Sequence, residues 1–138
     1  MLRAKISDII ACDLNVSYPL AKRYPPFDVL SVNFCVEIAA KDLKKFTQFL
    51  KDLRPLLNID GFMGFFVSLE ESFFFNQGTR YSHLYLTSED VQRAFKESGF
   101  EVQRIRHLDI PLRAQLSKLN DCKALEHFVV RKLTEVPA

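Results

Sequence analysis

The sequence has few glycines, and their positions exclude the glycine loops that bind phosphates. Its 138 residues include only four, Gly61, Gly64, Gly78 and Gly99. No placement of these four matches G-x-G-x-x-G or G-x-x-x-x-G-K-[ST], the loops that hold dinucleotides and nucleoside triphosphates. A glycine-loop nucleotide site is therefore absent from this chain.

Cysteine, excess charge and long apolar runs are also scarce. The three cysteines lack C-x-x-C spacing, so they indicate neither a disulfide framework nor a metal site, and they are typical of a reducing cytoplasm. A net charge of +2 offers no broad attraction for nucleic acid or anionic lipid. The longest apolar run, residues 61–69, is too short to cross a bilayer, and Asp8 and Asp13 interrupt any signal-peptide core. We expect a cytoplasmic protein without a metal, nucleic-acid or membrane partner.

The residues that are present suit a folded core. The chain is 48% hydrophobic and 26% charged, with 13 phenylalanines, which is the composition of a globular protein and not of a disordered segment. Its length corresponds to one domain or a piece of one.

The apolar pattern predicts strands and helices in alternation. Apolar β-branched and aromatic runs predict the strands, the second of them covered on both faces, and spacings of three and four predict the first helix. Ser88 is expected to cap the second helix and Gly99 to end it, while Asp60-Gly61 is expected to form a turn. The predicted strands are residues 9–14, 27–36, 62–69, 100–108 and 125–133; the predicted helices are residues 41–57 and 88–99; residues 72–87 are a predicted hairpin or lid.

This alternation is typical of an α/β sandwich with a largely parallel sheet. Ligands in such sheets bind beyond the carboxyl ends of the strands, so the residues that follow each apolar run are the first candidates for a site. Carboxylates occupy several of these positions, namely Asp13, Glu37, Glu70 and Glu71.

Several short segments resemble, in order and spacing, the C-terminal half of the nicotinamide, phenylethanolamine and thioether methyltransferase family. These segments are Cys12-Asp13-Leu14, Phe34-Cys35-Val36-Glu37, residues 56–62, Leu69-Glu70-Glu71-Ser72, residues 88–100 and the closing run of residues 129–133. The resemblance extends over nearly the whole chain. It implies that residues 1–138 are the C-terminal part of a single S-adenosylmethionine-dependent methyltransferase domain. The implied fold is a partial Rossmann-like sandwich, with a mostly parallel sheet and an antiparallel C-terminal strand.

The resemblance also implies roles for individual residues. Asp13 matches a carboxylate that accepts a hydrogen bond from the adenine amino group, and the implied cofactor-binding residues are Cys12, Asp13, Leu14, Asn33 and Phe34. Glu71 first, and Glu37 second, match the carboxylates that anchor an acceptor amine and help to take its proton. The implied substrate-binding residues are Phe34, Glu37, Glu71, Phe74 and one of Asn120 and Asp121.

Three departures from the family pattern matter. Phe74 lacks the hydroxyl of the matching tyrosine, and Asn33 replaces a smaller residue. The family's N-terminal half is missing, including its glycine-rich loop, its paired tyrosines and the acidic residue that holds the ribose. We therefore expect a truncated chain.

Each site residue also has an ordinary structural interpretation. Asp13 suits a turn before a proline-containing loop, Glu70 and Glu71 suit a solvated loop, and the Phe73–Phe75 cluster suits packing. The three histidines lack metal spacing and are expected to be structural or exposed.

Two hypotheses about function remain open. The chain is either a truncated methyltransferase for a small-molecule amine, resembling either the phenylethanolamine or the nicotinamide branch, or an inert or partner-binding relative of that family. Without the family's preceding strand, residues 27–36 would also form an unpaired sheet edge that favours self-association.

Overall fold

A computed structural model describes residues 2–116 and 118–134 of the chain. The strands are β1 (Phe27–Asn33), β2 (Leu57–Leu69), β3 (Phe73–Asn76), β4 (Thr79–Ser82), β5 (Phe100–Asp109) and β6 (Ala124–Lys132). The helices are α1 (Val36–Ala39), α2 (Leu43–Leu53), α3 (Ser88–Glu97) and α4 (Leu112–Gln115), with 3-10 turns at Leu2–Lys5 and Arg54–Leu56. Among the described residues, no helix combines the length and the apolar character needed to cross a membrane.

Four strands form a mixed sheet in the order β1-β2-β6-β5. β1 pairs parallel with β2, and β6 pairs antiparallel with both β2 and β5. Three strands therefore run in one direction while the C-terminal strand runs against them, which confirms the predicted α/β fold. The carboxyl ends of β1 and β2 consequently lie side by side.

Helices α2 and α3 cover one face of this sheet. Phe65 of β2 lies between Phe46 of α2 and Phe95 of α3, with ring centroids 6.1 and 5.3 Å away in edge-on contacts. All three rings are fully buried. Asp42 caps α2 by accepting a hydrogen bond from the Lys45 backbone N–H at 2.7 Å. The apolar sides of the two helices thus pack on one face of the sheet and form an aromatic core there.

The other face of the sheet is largely exposed. Val29 of β1 is 68% exposed, and Phe62 and Phe66 of β2 are 42% and 39% exposed. Within β1 only Val32 is buried. The prediction that residues 27–36 are covered on both faces is therefore wrong, because no described layer packs against the second face.

The predicted bounds of the first two strands are also wrong. Residues 9–14 form no strand, and Cys12 makes only an isolated bridge with Leu20. β1 stops at Asn33 because Phe34 adopts a positive φ of 53° and leads the chain into α1.

Asp60-Gly61 is not a turn, because both residues lie inside β2. Phe27 pairs with Leu57, whereas Val29, two residues on, already pairs with Phe62. β2 absorbs the extra residues in a bulge where Asp60 has a φ of 63°.

The N-cap of the second predicted helix lies one residue earlier than expected. Thr87 and Asp90 form a capping box, with the Thr87 hydroxyl accepting from the Asp90 N–H at 3.2 Å and the Asp90 carboxylate accepting from the Thr87 N–H at 3.0 Å. The N-cap of α3 is therefore Thr87 and not Ser88. Gly99 follows the helix with a φ of 81°, as its position predicted.

Candidate functional site

Two carboxylates meet where β1 and β2 end. Phe34 and Glu70, the residues that follow the two strands, have positive φ values of 53° and 51° and turn the chain sharply. Glu37 lies in α1, three residues after Phe34, and Glu71 directly follows Glu70. The two carboxylates are close enough for the charge of Glu71 to raise the pKa of Glu37. We call Glu37, Ser68, Glu71 and His83 the carboxylate cluster.

Glu37 is the most deeply buried charged residue of this cluster. Its side chain is fully buried, and neither carboxylate oxygen hydrogen-bonds to any described residue. Burial raises the pKa of Glu37 from 4.5 to about 7, and Glu71 adds to the rise. The backbone dipoles of Glu37 and Ser68 oppose it without reaching hydrogen-bond geometry. Near neutral pH this carboxyl therefore changes its charge easily.

Glu71 faces a histidine that the sequence did not single out. Its Oε2 lies 3.4 Å from Nε2 of His83, and both side chains are buried. Burial raises the pKa of Glu71, while His83 and the Ser68 hydroxyl act in the opposite direction.

The hairpin of β3 and β4 brings His83 to this position. Gln77 and Gly78 form its turn with φ values of 49° and 78°, so the hairpin predicted over residues 72–87 is confirmed. Pairing around this turn places His83 opposite Ser72, and the His83 N–H donates to the Ser72 carbonyl at 2.9 Å. The Gln77-Gly78 turn was therefore the sequence signal that could have placed His83 beside Glu71.

Phe74 lies on the same hairpin, next to the cluster. Its ring stacks on Tyr81 at a centroid distance of 5.3 Å and meets His83 edge-on at 6.4 Å. The hairpin thus provides an aromatic wall beside the buried carboxylates.

Asp121 and Asn120 hold a loop together at the rim of the cluster. Asp121 accepts from the N–H groups of Ser72 and Phe73 at 2.7 and 3.1 Å, and from the Ser72 hydroxyl. Burial acts to raise the pKa of Asp121, but these hydrogen bonds outweigh it and the pKa is lowered. Asn120 accepts from the Cys122 N–H at 3.1 Å. Both side chains thus have local partners, and the charge of Asp121 still reaches Glu71.

The segment expected to bind the cofactor forms a separate turn. Asp13 Oδ1 accepts from the backbone and side-chain nitrogens of Asn15 at 2.9 and 3.1 Å, and the Asp13 N–H donates to the Pro19 carbonyl. Leu14 packs against the core, whereas Cys12 is exposed. The pKa of the Cys35 thiol is raised by partial burial first, and then by the charge of Glu37 and by the Cys12 thiol.

Asn33 and Phe34 lie at the open end of β1. Asn33 is exposed and donates to the Ser31 hydroxyl at 3.3 Å. The Phe34 ring is 40% exposed and stacks on Phe66 at 5.7 Å. These two side chains therefore present an amide and an aromatic surface outside the sheet.

A surface cavity of about 350 Å³ adjoins the cluster. His83 lines it together with Ile38 of α1, Lys41 just after α1, and Tyr85 in the chain that follows β4. No group of three or more histidine, cysteine or acidic side chains in residues 2–116 and 118–134 is placed to hold a metal ion.

The fold is that of S-adenosylmethionine-dependent methyltransferases. One such enzyme from Methanosarcina mazei matches with a TM-score of 0.63 at 11% identity, over 87% of this chain and 66% of that chain. The 1,6-didemethyltoxoflavin-N1-methyltransferase of Burkholderia thailandensis, solved with S-adenosylhomocysteine, matches with a TM-score of 0.56 at 16% identity, over 81% of this chain and 46% of that chain.

The chain belongs to the NNMT/PNMT/TEMT family, whose sequence profile matches residues 1–133. Nicotinamide N-methyltransferase of Sus scrofa is 31% identical over 134 residues, which cover 96% of this chain and 50% of the relative. Phenylethanolamine N-methyltransferase of Rattus norvegicus is 33% identical over 113 residues, covering 80% and 40%. The resemblance seen in the sequence is confirmed, and the chain spans about half the length of the curated relatives it matches.

Proposed function

We propose that residues 1–138 are the acceptor-binding part of a methyltransferase domain that methylates a small-molecule amine. The observation that carries this proposal is the fully buried Glu37 carboxylate, whose oxygens make no hydrogen bond among the described residues. A buried charge without a partner costs several kcal/mol, so such a group binds a proton or a cation. An ammonium group is a cation that can also donate hydrogen bonds to both oxygens.

The roles of the two glutamates differ because their surroundings differ. The Glu37 carboxylate has no hydrogen-bond partner among the described residues and suits an electrostatic anchor for the ammonium. Glu71 has a buried histidine 3.4 Å away and suits the group that takes the amine proton. Phe34 and Phe74 supply the aromatic surfaces on which the remainder of an aryl amine can pack, with Asn120 and Asp121 holding the rim.

The residues at the open end of β1 fit a nucleoside cofactor. The Phe34 ring and the Asn33 amide are exposed there, and Asp13 Oδ2 makes no hydrogen bond to the described residues, so it can accept one from an adenine amino group. Cys12 and Leu14 flank that carboxylate. S-adenosylmethionine, when bound, supplies an already activated methyl group. The task of the protein is then to align the acceptor nitrogen and to exclude water.

Calorimetric titration of the chain with S-adenosylhomocysteine and then with phenylethanolamine or nicotinamide tests this proposal. We expect the cationic amine to bind, and Glu37→Gln and Glu71→Gln to weaken it by about 10- to 100-fold, since each removes a charge-assisted hydrogen bond of about 1.5–3 kcal/mol. The two substitutions should weaken the binding of the uncharged nicotinamide far less.

Glu70→Gln is the matched control. Glu70 neighbours Glu71 in sequence, but it is exposed, and within the described part of the chain its carboxylate accepts a hydrogen bond from the Tyr85 hydroxyl alone, at 3.1 Å. Equal losses in the Glu70 and Glu71 variants would contradict the site, as would amine binding that survives Glu37→Gln unchanged.

The exposed edge of β1 favours a second role, self-association. β1 pairs with β2 alone among the described residues, and Val29 near the middle of this edge is 68% exposed. We also propose that two copies pair along this edge in the cytoplasm, where the three free thiols would stay reduced. Sedimentation of the wild type and Val29→Lys tests this; identical distributions would exclude pairing.

A further inference from the structure

The His83 ring has contacts that fix which of its nitrogens carries a hydrogen. Nδ1 lies 3.1 Å from the Glu71 carbonyl oxygen and 3.0 Å from the Leu84 carbonyl oxygen. Carbonyl oxygens only accept hydrogen bonds, so Nδ1 must bear the hydrogen. In a neutral ring Nε2 then has only a lone pair, and the nearest Glu71 carboxylate oxygen, Oε2, lies 3.4 Å from it.

Two acceptors facing each other in a buried site repel unless a proton lies between them. The side chains of His83 and Glu71 are only 2% and 8% exposed, so water cannot separate them. One proton therefore belongs to the pair, either on Nε2 or on the carboxyl. This proton occupies the position at which an ammonium group would contact Glu71.

The charges around the pair favour exchange of this proton for another cation. In addition to burial, the charge of Glu71 raises the pKa of Glu37 in α1, and the charge of Asp121, in the loop before β6, raises the pKa of Glu71. Cys122 is a neutral thiol that feels the charge of Glu71, and Lys41 lines the cavity next to His83. With two carboxylates and one lysine around it, the pair can lose its proton when a bound ammonium replaces that positive charge.

We propose that His83 is a positioning residue that lets Glu71 hold a proton. This proton is released when the amine binds, and Glu71 regains a proton from the acceptor nitrogen during methyl transfer. This inference rests on the proposed amine site. On binding, the ammonium displaces the shared proton to solvent by way of the cavity that His83 lines. During transfer, the acceptor nitrogen gives a proton to Glu71 and His83 as its lone pair forms the bond to the methyl carbon. One proton leaves to solvent per turnover, which balances the reaction.

Nitrogen-15 NMR of the histidine rings in the 138-residue chain tests this inference. Without ligand at neutral pH, we expect both His83 nitrogens to carry proton character, and Glu71→Gln to convert the ring to the neutral form with hydrogen on Nδ1 alone. Addition of phenylethanolamine should cause the same conversion in the wild type. A quaternary ammonium analogue, which has a charge but no N–H, should do so as well. His107 serves as the internal control, because its ring contacts Asp109 and Glu126 and should not respond.

The outcomes separate this inference from the proposed function. A neutral His83 ring beside an ionised Glu71 carboxylate in the ligand-free wild type, read from the nitrogen-15 and carbon-13 signals together, overturns the shared proton whatever the amine does. A second outcome is that the shared proton is present while the carbon-13 signals of the Glu37 and Glu71 carboxyls do not change when the amine is added. That result refutes the amine site itself, and with it the displacement of the proton. If Glu71→Gln does not fold, the ligand-free wild-type spectrum and its response to the two amines still decide the question.

Discussion

The burial of Glu37 makes a quantitative prediction about stability and pH. Its pKa rises from 4.5 to about 7 on folding, so the folded state binds this proton more tightly than the unfolded chain does. The favourable contribution is complete below the unfolded value and is lost as the pH rises through about 7. At about 1.4 kcal/mol per pH unit, the loss amounts to about 3 kcal/mol.

Glu37→Gln removes this titration while keeping the size of the side chain. The free energy of unfolding of the wild type should fall by about 3 kcal/mol more than that of the variant between pH 4.5 and 8. The buried amide adds a constant cost of about 1–3 kcal/mol, which shifts the variant's curve without changing its slope.

Urea unfolding of both proteins at half-unit pH intervals measures the difference. The titrating groups that are not coupled to Glu37 are shared and cancel between the two curves, so the difference reports Glu37 together with its interaction with Glu71. Exposed Glu70→Gln should give a curve parallel to the wild type. The reasoning fails if the Glu37→Gln and wild-type curves are also parallel.

Three further predictions concern the scaffold. Thr87→Ala should lower the free energy of unfolding in urea by about 1 kcal/mol, because it removes the capping box of α3. A decrease below about 0.3 kcal/mol, which is on the order of the experimental error, would refute that role. Gly61→Ala should lower the melting temperature, because the new Cβ would lie 2.8 Å from a backbone carbonyl oxygen, and an unchanged melting temperature would show that the bulge relaxes freely. Asp109 first, and Glu126 second, raise the pKa of His107, so the wild type should lose stability relative to His107→Gln as the pH rises past 6.5; a constant difference would contradict this.

The sequence predicted the elements whose signals are local. Leu50 and Leu53 recur at helical spacing and are buried in α2, and the two-residue turn of the hairpin was recognisable from Gly78. Coverage of β1 could not be predicted, because its apolar residues look the same whether or not a second layer is present. The β2 bulge was missed because Asp60-Gly61 is a frequent turn pair whose role here depends on pairing with β1.

The candidate site shows the same division. Glu37 and Glu71 were found because carboxylates follow two apolar runs, and parallel pairing then brings those ends together. Their catalytic roles stay predictions. His83 was missed because it depends on hairpin register. The Asp13 and Asp121 carboxylates accept hydrogen bonds from backbone N–H groups of loop residues. For Asp13, this is the ordinary structural interpretation that the sequence suggested.

The bulge near the start of β2 lies at the opposite end of the strand from the carboxylates, so a change in strand length at the bulge leaves the geometry of the site unchanged. Beyond it, β1 and β2 stay in unbroken register from Val29 and Phe62 to Asn33 and Phe66. Insertions or deletions at residues 58–60 would thus alter the amino-terminal side of the sheet while the carboxylates at the opposite end keep their spacing. Evolution could in this way lengthen or shorten the chain before Gly61 without rebuilding the chemistry that follows Leu69.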